Sequence, residues 1–127
     1  MAIKYKVVAK GQPGVVGGGD KKFYATPVLE GEVTLNDLTR LIEMSSTVSG
    51  ADIRAVLYAL VEITVDSLSK GSIVRLGELG SLRPSLSSEG RATEVEVNAS
   101  AIRNTSVIFA PGSRIKEMLA AVKFTKA

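Results

Sequence analysis

The chain has 127 residues, 45% of them apolar but only 5% aromatic, with a net charge of +3 and neither Cys nor His. That length sets one domain with a modest aliphatic core. The missing residue types exclude disulfides, thiolate chemistry and the usual general base and metal ligand, so no cofactor or metal is expected. The small positive excess is compatible with a polyanionic partner.

Charge is unevenly spread. Residues 1–32 hold five Lys against three carboxylates, residues 33–70 three cations against five, and residues 71–127 eight against five. The middle is acidic and both flanks are basic. No apolar run approaches the ~18 residues of a membrane span, and Met-Ala-Ile-Lys-Tyr-Lys has no signal-peptide core. A cytoplasmic protein is the expectation.

In chain order, Ile3–Val8 alternates as a strand, with Ile3, Tyr5 and Val7 on one face and Lys4 and Lys6 on the other. Gly11-Gln-Pro-Gly14 and Gly17-Gly-Gly-Asp20 bracket a hairpin loop. No Gly-Lys-Ser/Thr follows to make it a phosphate cradle. Phe23–Leu29 is a second strand, confined to an edge by Pro27.

Thr34 and Asp37 form a capping box opening a helix with Leu35, Leu38, Leu41 and Ile42 on one face, ending near Ser45-Ser46. Ser49 and Asp52 repeat the box and open a helix of about twenty residues, carrying Ile53, Val56, Leu57, Leu60, Val61 and Leu68. Ala55, Ile63 and Val65 make this helix apolar on several sides, which implies cover by a partner subunit or, alternatively, by the N-terminal strands. Gly71 stops it. Ile73–Leu76 is a strand, Gly77–Gly80 a turn or bulge, and Ser81–Leu86 a strand interrupted by Pro84. Ile73, Leu76, Leu79 and Leu82 are candidates for the buried side.

Arg91–Val97 alternates, with Val95 and Val97 facing one way and Glu94 and Glu96 the other. Asn98 caps one helical turn, Ser106–Phe109 is a strand, Ala110–Gly112 a turn, and Ser113 caps a last helix with Ile115, Met118, Leu119 and Val122 facing the core.

This order resembles the HU/IHF family of bacterial histone-like proteins. The resemblance rests on Lys70-Gly71, Val74, Leu76, Leu79-Gly80-x-Leu82, and Phe109-Ala-Pro-Gly112 followed by Arg114-Ile-Lys116, and spans Val33 to Val122. It implies an α+β fold: two N-terminal helices, an antiparallel sheet with arms, a short C-terminal helix and an intertwined homodimer that saddles double-stranded DNA. In that family a proline near each arm tip wedges between base steps.

Glu78 stands where the family has the first glycine of Gly-Phe-Gly, and Leu79 and Leu82 replace its phenylalanines. The Arg-Asn-Pro tip is absent. Between Pro84 and Thr105 only Arg91 and Arg103 are basic, against Glu89, Glu94 and Glu96, so the arm is shortened or altered. Residues 1–32 resemble the strand-bearing extension of a divergent HU-like branch, leaving 33–127 as the HU-like part of a single compact chain.

The expected function is sequence-tolerant DNA binding by a nucleoid-associated homodimer, with phosphate contacts from Arg75, Arg83, Arg91, Arg103, Arg114 and Lys116. The alternative is a structural or interaction module that keeps the fold and binds DNA weakly. Catalysis is not expected, because Ser45-Ser46 and Ser87-Ser88 have no His or Ser-x-x-Lys partner and the carboxylates form no paired constellation. Neither a membrane nor a small-molecule substrate is an expected partner.

Overall fold

The computed structural model describes residues 2–12 and 14–127; Pro13, part of the expected hairpin loop, lies outside them. The chain forms two compact units, one made of the residues up to Val33 with Met118–Ala127, the other of Thr34–Glu117. The C-terminal residues, expected to belong with 33–127, thus group with the N-terminal strands.

In the first unit β1 (Ala2–Lys10) pairs antiparallel with β2 (Lys22–Pro27). Pro27 sits on the edge strand, as its missing N–H requires. The loop between the strands holds a 3-10 turn at Val16–Gly18, and Gly17 and Gly18 have φ of 75° and 81°, a region open to glycine. On its other side β1 pairs in parallel with a strand that the sequence reading lacks, β6 (Lys123–Lys126).

Strand periodicity gives this sheet two unlike faces. Ile3, Tyr5 and Val7 share one face with Ala25, Pro27 and Phe124, their partners in register. Leu119 and Val122 join them around an open apolar groove of about 530 Å³. The other face carries Lys4, Lys6, Lys10, Lys22 and Lys123, while Lys126 stands beside Tyr5 on the apolar one.

The second unit opens with α1 (Leu35–Ser45). The capping box is formed: Asp37 N donates to Thr34 Oγ1 at 3.3 Å, and Thr34 N donates to Asp37 Oδ2 at 3.0 Å. These bonds from Thr34, backbone first, hold the Asp37 carboxyl below its ordinary pKa, with Arg40 assisting. Ser49 caps α2 (Gly50–Ser69) through Asp52 N, but the reciprocal bond from Asp52 is not made, so the second box is half of one.

The two helices meet around Ile53, 5% exposed, and Thr39. Thr39 Oγ1 donates to Leu35 O at 2.8 Å, and Arg54 Nη2 donates to Asn36 Oδ1 at 3.2 Å across the helix pair. A β-carbon on Gly50 would lie 2.6 Å from Glu43 Oε2.

The stop of α2 is a Schellman motif. Gly71 N donates to Leu68 O, Ser72 N donates to Ser67 O, and Gly71 takes φ 83°. Three antiparallel strands follow: β3 (Val74–Arg75), β4 (Gly80–Ser88) and β5 (Ile102–Pro111), in the order β3-β4-β5.

Four expectations are corrected here. Strand β4 runs through Pro84 rather than breaking at it. β3 reaches only as far as Leu82, so one edge of β4 is open where the proline falls. Residues 91–97 form bends and a 3-10 turn at Glu94–Glu96, not an alternating strand. Ala110 and Pro111 extend β5 instead of turning. Finally α3 (Ser113–Ala121) begins at Ser113, and its first bond runs from Lys116 N to Gly112 O, so Ser113 lies inside the helix. The expected turn at Ala99–Ala101 is present, with Asn98 Oδ1 accepting from Ser100 N.

Few side chains of this unit are buried. Ile73 and Leu79 are exposed, while Leu76 and Leu82 are half-buried. On α2, Val56 is 65% exposed, Ile63 66% and Val65 60%.

Candidate nucleic-acid interface

Register decides which of the six candidate cations stand together. Arg75 lies opposite Ser81, and Arg83 follows two residues on, so the two arginines share a face of the β3-β4-β5 sheet. Ser85, Ser87, Asn104, Ser106, Ile108 and Ala110 complete that face, and no carboxylate stands among its strand residues. The reverse face is mostly apolar: Val74, Leu82, Pro84 and Leu86 with Phe109 and Val107, Thr105 standing opposite Leu86. Pro84, Leu86 and Val107 line an open groove of about 550 Å³ with Leu68 and Gly71 at the end of α2.

Near Arg75 the backbone is drawn in closely. Gly112 N donates to Leu79 O at 3.0 Å and Leu76 N donates to Gly80 O at 2.7 Å. A β-carbon on Gly112 would collide with Glu78 O and lie 2.8 Å from Gly80 N. One on Gly80 would collide with Ala110 O and lie 2.8 Å from the Phe109 ring. Gly80, with φ 146°, and Gly112 are therefore demanded by contact. They leave a hollow of about 220 Å³ with Arg75 and Ser81 at its rim. Arg114 and Lys116 follow in the first turn of α3, and neither makes a salt bridge among the described residues.

Arg91 and Arg103 are placed differently. Ser87 pairs with Asn104 and Ser88 with Ile102, which leaves Arg103 as the extra residue of a β-bulge. Its Nη2 meets Glu89 Oε2 at 2.9 Å, and Arg91 Nη2 meets Glu89 Oε1 at 2.5 Å. Arg91 also reaches Glu96 O through Nη1, and its side chain is only 26% exposed. Glu89 N donates to Ala101 O, and Ala101, the last residue of the Ala99–Ala101 turn, is fully buried. These two arginines tie the loop 89–101 to the end of the ribbon. Both are ion-paired to Glu89, Arg91 largely covered and Arg103 with its side chain still 65% exposed.

None of the six candidate cations lies where positive charge is most concentrated. The Thr34–Glu117 unit has nine cations against ten carboxylates, a net charge of −1. The unit built on β1, β2 and β6 has seven lysines (Lys4, Lys6, Lys10, Lys21, Lys22, Lys123 and Lys126) against Asp20, Glu30 and Glu32, a net +4. The signal was available in the alternation of Lys4 and Lys6. The part played by Lys123 became visible only once β6 was placed beside β1.

Comparison with solved structures gives a chain from Bacteroides vulgatus ATCC 8482, described provisionally as a bacterial DNA-binding protein, with a TM-score of 0.68 and 15% identity. The match covers 98% of this chain and 47% of that one, so the present chain spans about half of its neighbour's length. At that identity the likeness concerns the fold. A search of the curated proteins found no match. No helix among the described residues is long and apolar enough to cross a membrane. The family model for HU domains fused to a winged helix-turn-helix, immunoglobulin or glycine-rich motif matches residues 1–126, and with the helix pair, Schellman stop and three-stranded ribbon described above, the chain belongs to this HU-HIG family.

Proposed function

We propose that the chain binds double-stranded DNA without sequence specificity, as a non-catalytic, architectural protein of the nucleoid acting as a homodimer. The observation that carries this reading is the Arg75–Arg83 face, which combines two guanidiniums that make no salt bridge among the described residues with serine and asparagine groups, and has no carboxylate among its strand residues. Hydroxyl, amide and guanidinium groups are the usual donors to phosphate oxygens and carry no base information. Arg114 and Lys116 add charge at the start of α3, where helix N–H groups also favour anions. Membership of the HU-HIG family and the likeness to a provisionally described DNA-binding protein support the same partner.

The homodimer is supported by α2. Val56, Tyr58, Val61, Ile63 and Val65 are all more than half exposed in the single chain. Each such side chain gains roughly 1.5–3 kcal/mol on full burial, so a helix this apolar calls for cover. A second copy of α2, bringing the apolar reverse face of its ribbon, supplies it.

Titration of a labelled duplex across salt concentrations tests the function. A steep fall of log K with log[salt] is expected, each phosphate contact adding about 0.9 to the slope. Absence of binding even at low salt would sink the proposal. It would favour the second reading, an interaction module on the same fold. That reading draws on Glu89, whose carboxylate occupies both Arg91 and Arg103.

A further inference from the structure

We infer that the lysine face of the β2-β1-β6 sheet is a second nucleic-acid surface, one that grips the phosphate backbone of a duplex independently of the arginine face in the other unit. In register, Lys4, Lys6, Val8 and Lys10 of β1 stand on one face. Lys10 is opposite Lys22, Val8 opposite Tyr24 and Lys6 opposite Thr26 on β2, while Ala2 is opposite Lys123 and Lys4 opposite Thr125 on β6. The face therefore presents five lysines, one tyrosine and two threonines, and its strand residues include no carboxylate.

Lys4 is paired with Glu30 at 2.9 Å. Lys6, Lys10, Lys22 and Lys123 are exposed and make no salt bridge among the described residues. Tyr24 stands between the Lys6 and Lys10 rungs of the ladder, where its hydroxyl can donate to the same phosphates that the lysines attract.

The geometry suits a polyanion. Same-face residues along a strand lie about 7 Å apart and neighbouring strands about 4.8 Å apart, so Lys4 to Lys10 spans roughly 20 Å. Duplex DNA offers one charge per about 1.7 Å of axis, which makes such a row collect several phosphates at once. Held together on one face, these lysines repel each other until a partner neutralises them.

The apolar residues argue against a membrane surface. A membrane-binding face sets large apolar side chains among its cations to enter the lipid. Here Ile3, Tyr5, Pro27 and Phe124 point to the opposite side of the sheet, and only Ala2 and Val8 accompany the lysines.

The test uses the full chain and a mixed-sequence duplex. Lysine acetylation followed by mass spectrometry, with and without duplex, is expected to show protection of Lys6, Lys10 and Lys22. The triple variant Lys6→Gln/Lys10→Gln/Lys22→Gln, its fold checked by circular dichroism, is expected to flatten the salt slope by about 2 to 3, near 0.9 per lost contact. The matching Lys→Arg triple variant is expected to keep the slope. Unchanged labelling, or protection by phosphatidylserine vesicles and not by duplex, would overturn the inference. A slope lost in Arg75→Gln/Arg83→Gln but kept in the lysine variant leaves the proposed function standing and removes this surface. The reverse result leaves this surface and removes the arginine face.

Discussion

Arg103 has no residue opposite it in the β4–β5 ladder, and its guanidinium meets the carboxylate of Glu89, fourteen positions earlier, at 2.9 Å. A bulge frees a side chain from the alternation of its strand and re-aims it. In this ribbon the re-aimed group turns to the loop, and Arg91 comes to the same carboxylate from the other side. Glu89→Ala is accordingly expected to release the 89–101 loop. Partly exposed ion pairs are each worth about 0–1 kcal/mol, so a loss near 1 kcal/mol is expected, seen as roughly fivefold faster amide exchange confined to that loop.

The same placement separates the candidate cations by effect. Arg75→Ala and Arg83→Ala are expected each to reduce the salt slope of duplex binding by about 0.9 with the fold intact. Arg91→Ala is expected to leave that slope in place and to raise exchange in 89–101 instead. Equal slope losses at all of these positions, measured by fluorescence anisotropy, would show that Glu89 does not hold its partners.

The exposed side of α2 predicts that solution mass exceeds the 13.4 kDa of one chain. Light scattering is expected to give twice that value, with a midpoint of unfolding that rises with protein concentration. Val56→Lys/Ile63→Lys places charges on the uncovered helix and is expected to abolish the larger species. A single peak at monomer mass for the unaltered chain contradicts the dimer.

Gly112 leaves no room for a side chain between Glu78 O and Gly80 N. Gly112→Ala must push the 77–79 turn away from the start of α3, at a cost of about 2 kcal/mol or more. Gly71→Ala has open space around it but must hold φ near 83°, so its smaller cost, about 1 kcal/mol, is conformational. Urea titrations of the two variants are expected to rank them in that order.

The capping box of α1 gives an acid-side signature. Asp37 has its pKa lowered from 3.8 by the bonds from Thr34, so its ionised form favours the folded state. That contribution is fully present above the unfolded value of 3.8 and is lost as pH falls through the lower folded value. Thr34→Ala removes the cap, at a cost of about 1 kcal/mol near neutrality, and is expected to lessen the pH dependence below pH 4. Denaturation curves collected down that pH range check both.

The helices were legible because their signals are local. Thr34 and Asp37 sit three residues apart, as do Ser49 and Asp52, and the residues closing α2 lie within one turn of each other. Strand existence was likewise readable in Ile3–Val8, from its alternation, and in Ser106–Phe109. The span 91–97 misled the same rule. Its alternation follows no ladder, because Glu89 and Arg91 fold the segment back on itself before it finds a partner strand.

Sequence alone determined the α+β class, the caps Thr34, Ser49 and Asn98, the apolar excess of α2 and the family resemblance, all of which depend on residues close in the chain or on an ordered pattern. Tertiary structure alone decided which cations are available. Lys4, Lys10, Lys22 and Lys123 become one face only through the register of β2 and β6 against β1. Arg91 and Arg103 leave the list of free charges only through contacts with Glu89. Register and ion pairing join residues distant in sequence, and strand pairing is not encoded in any one segment.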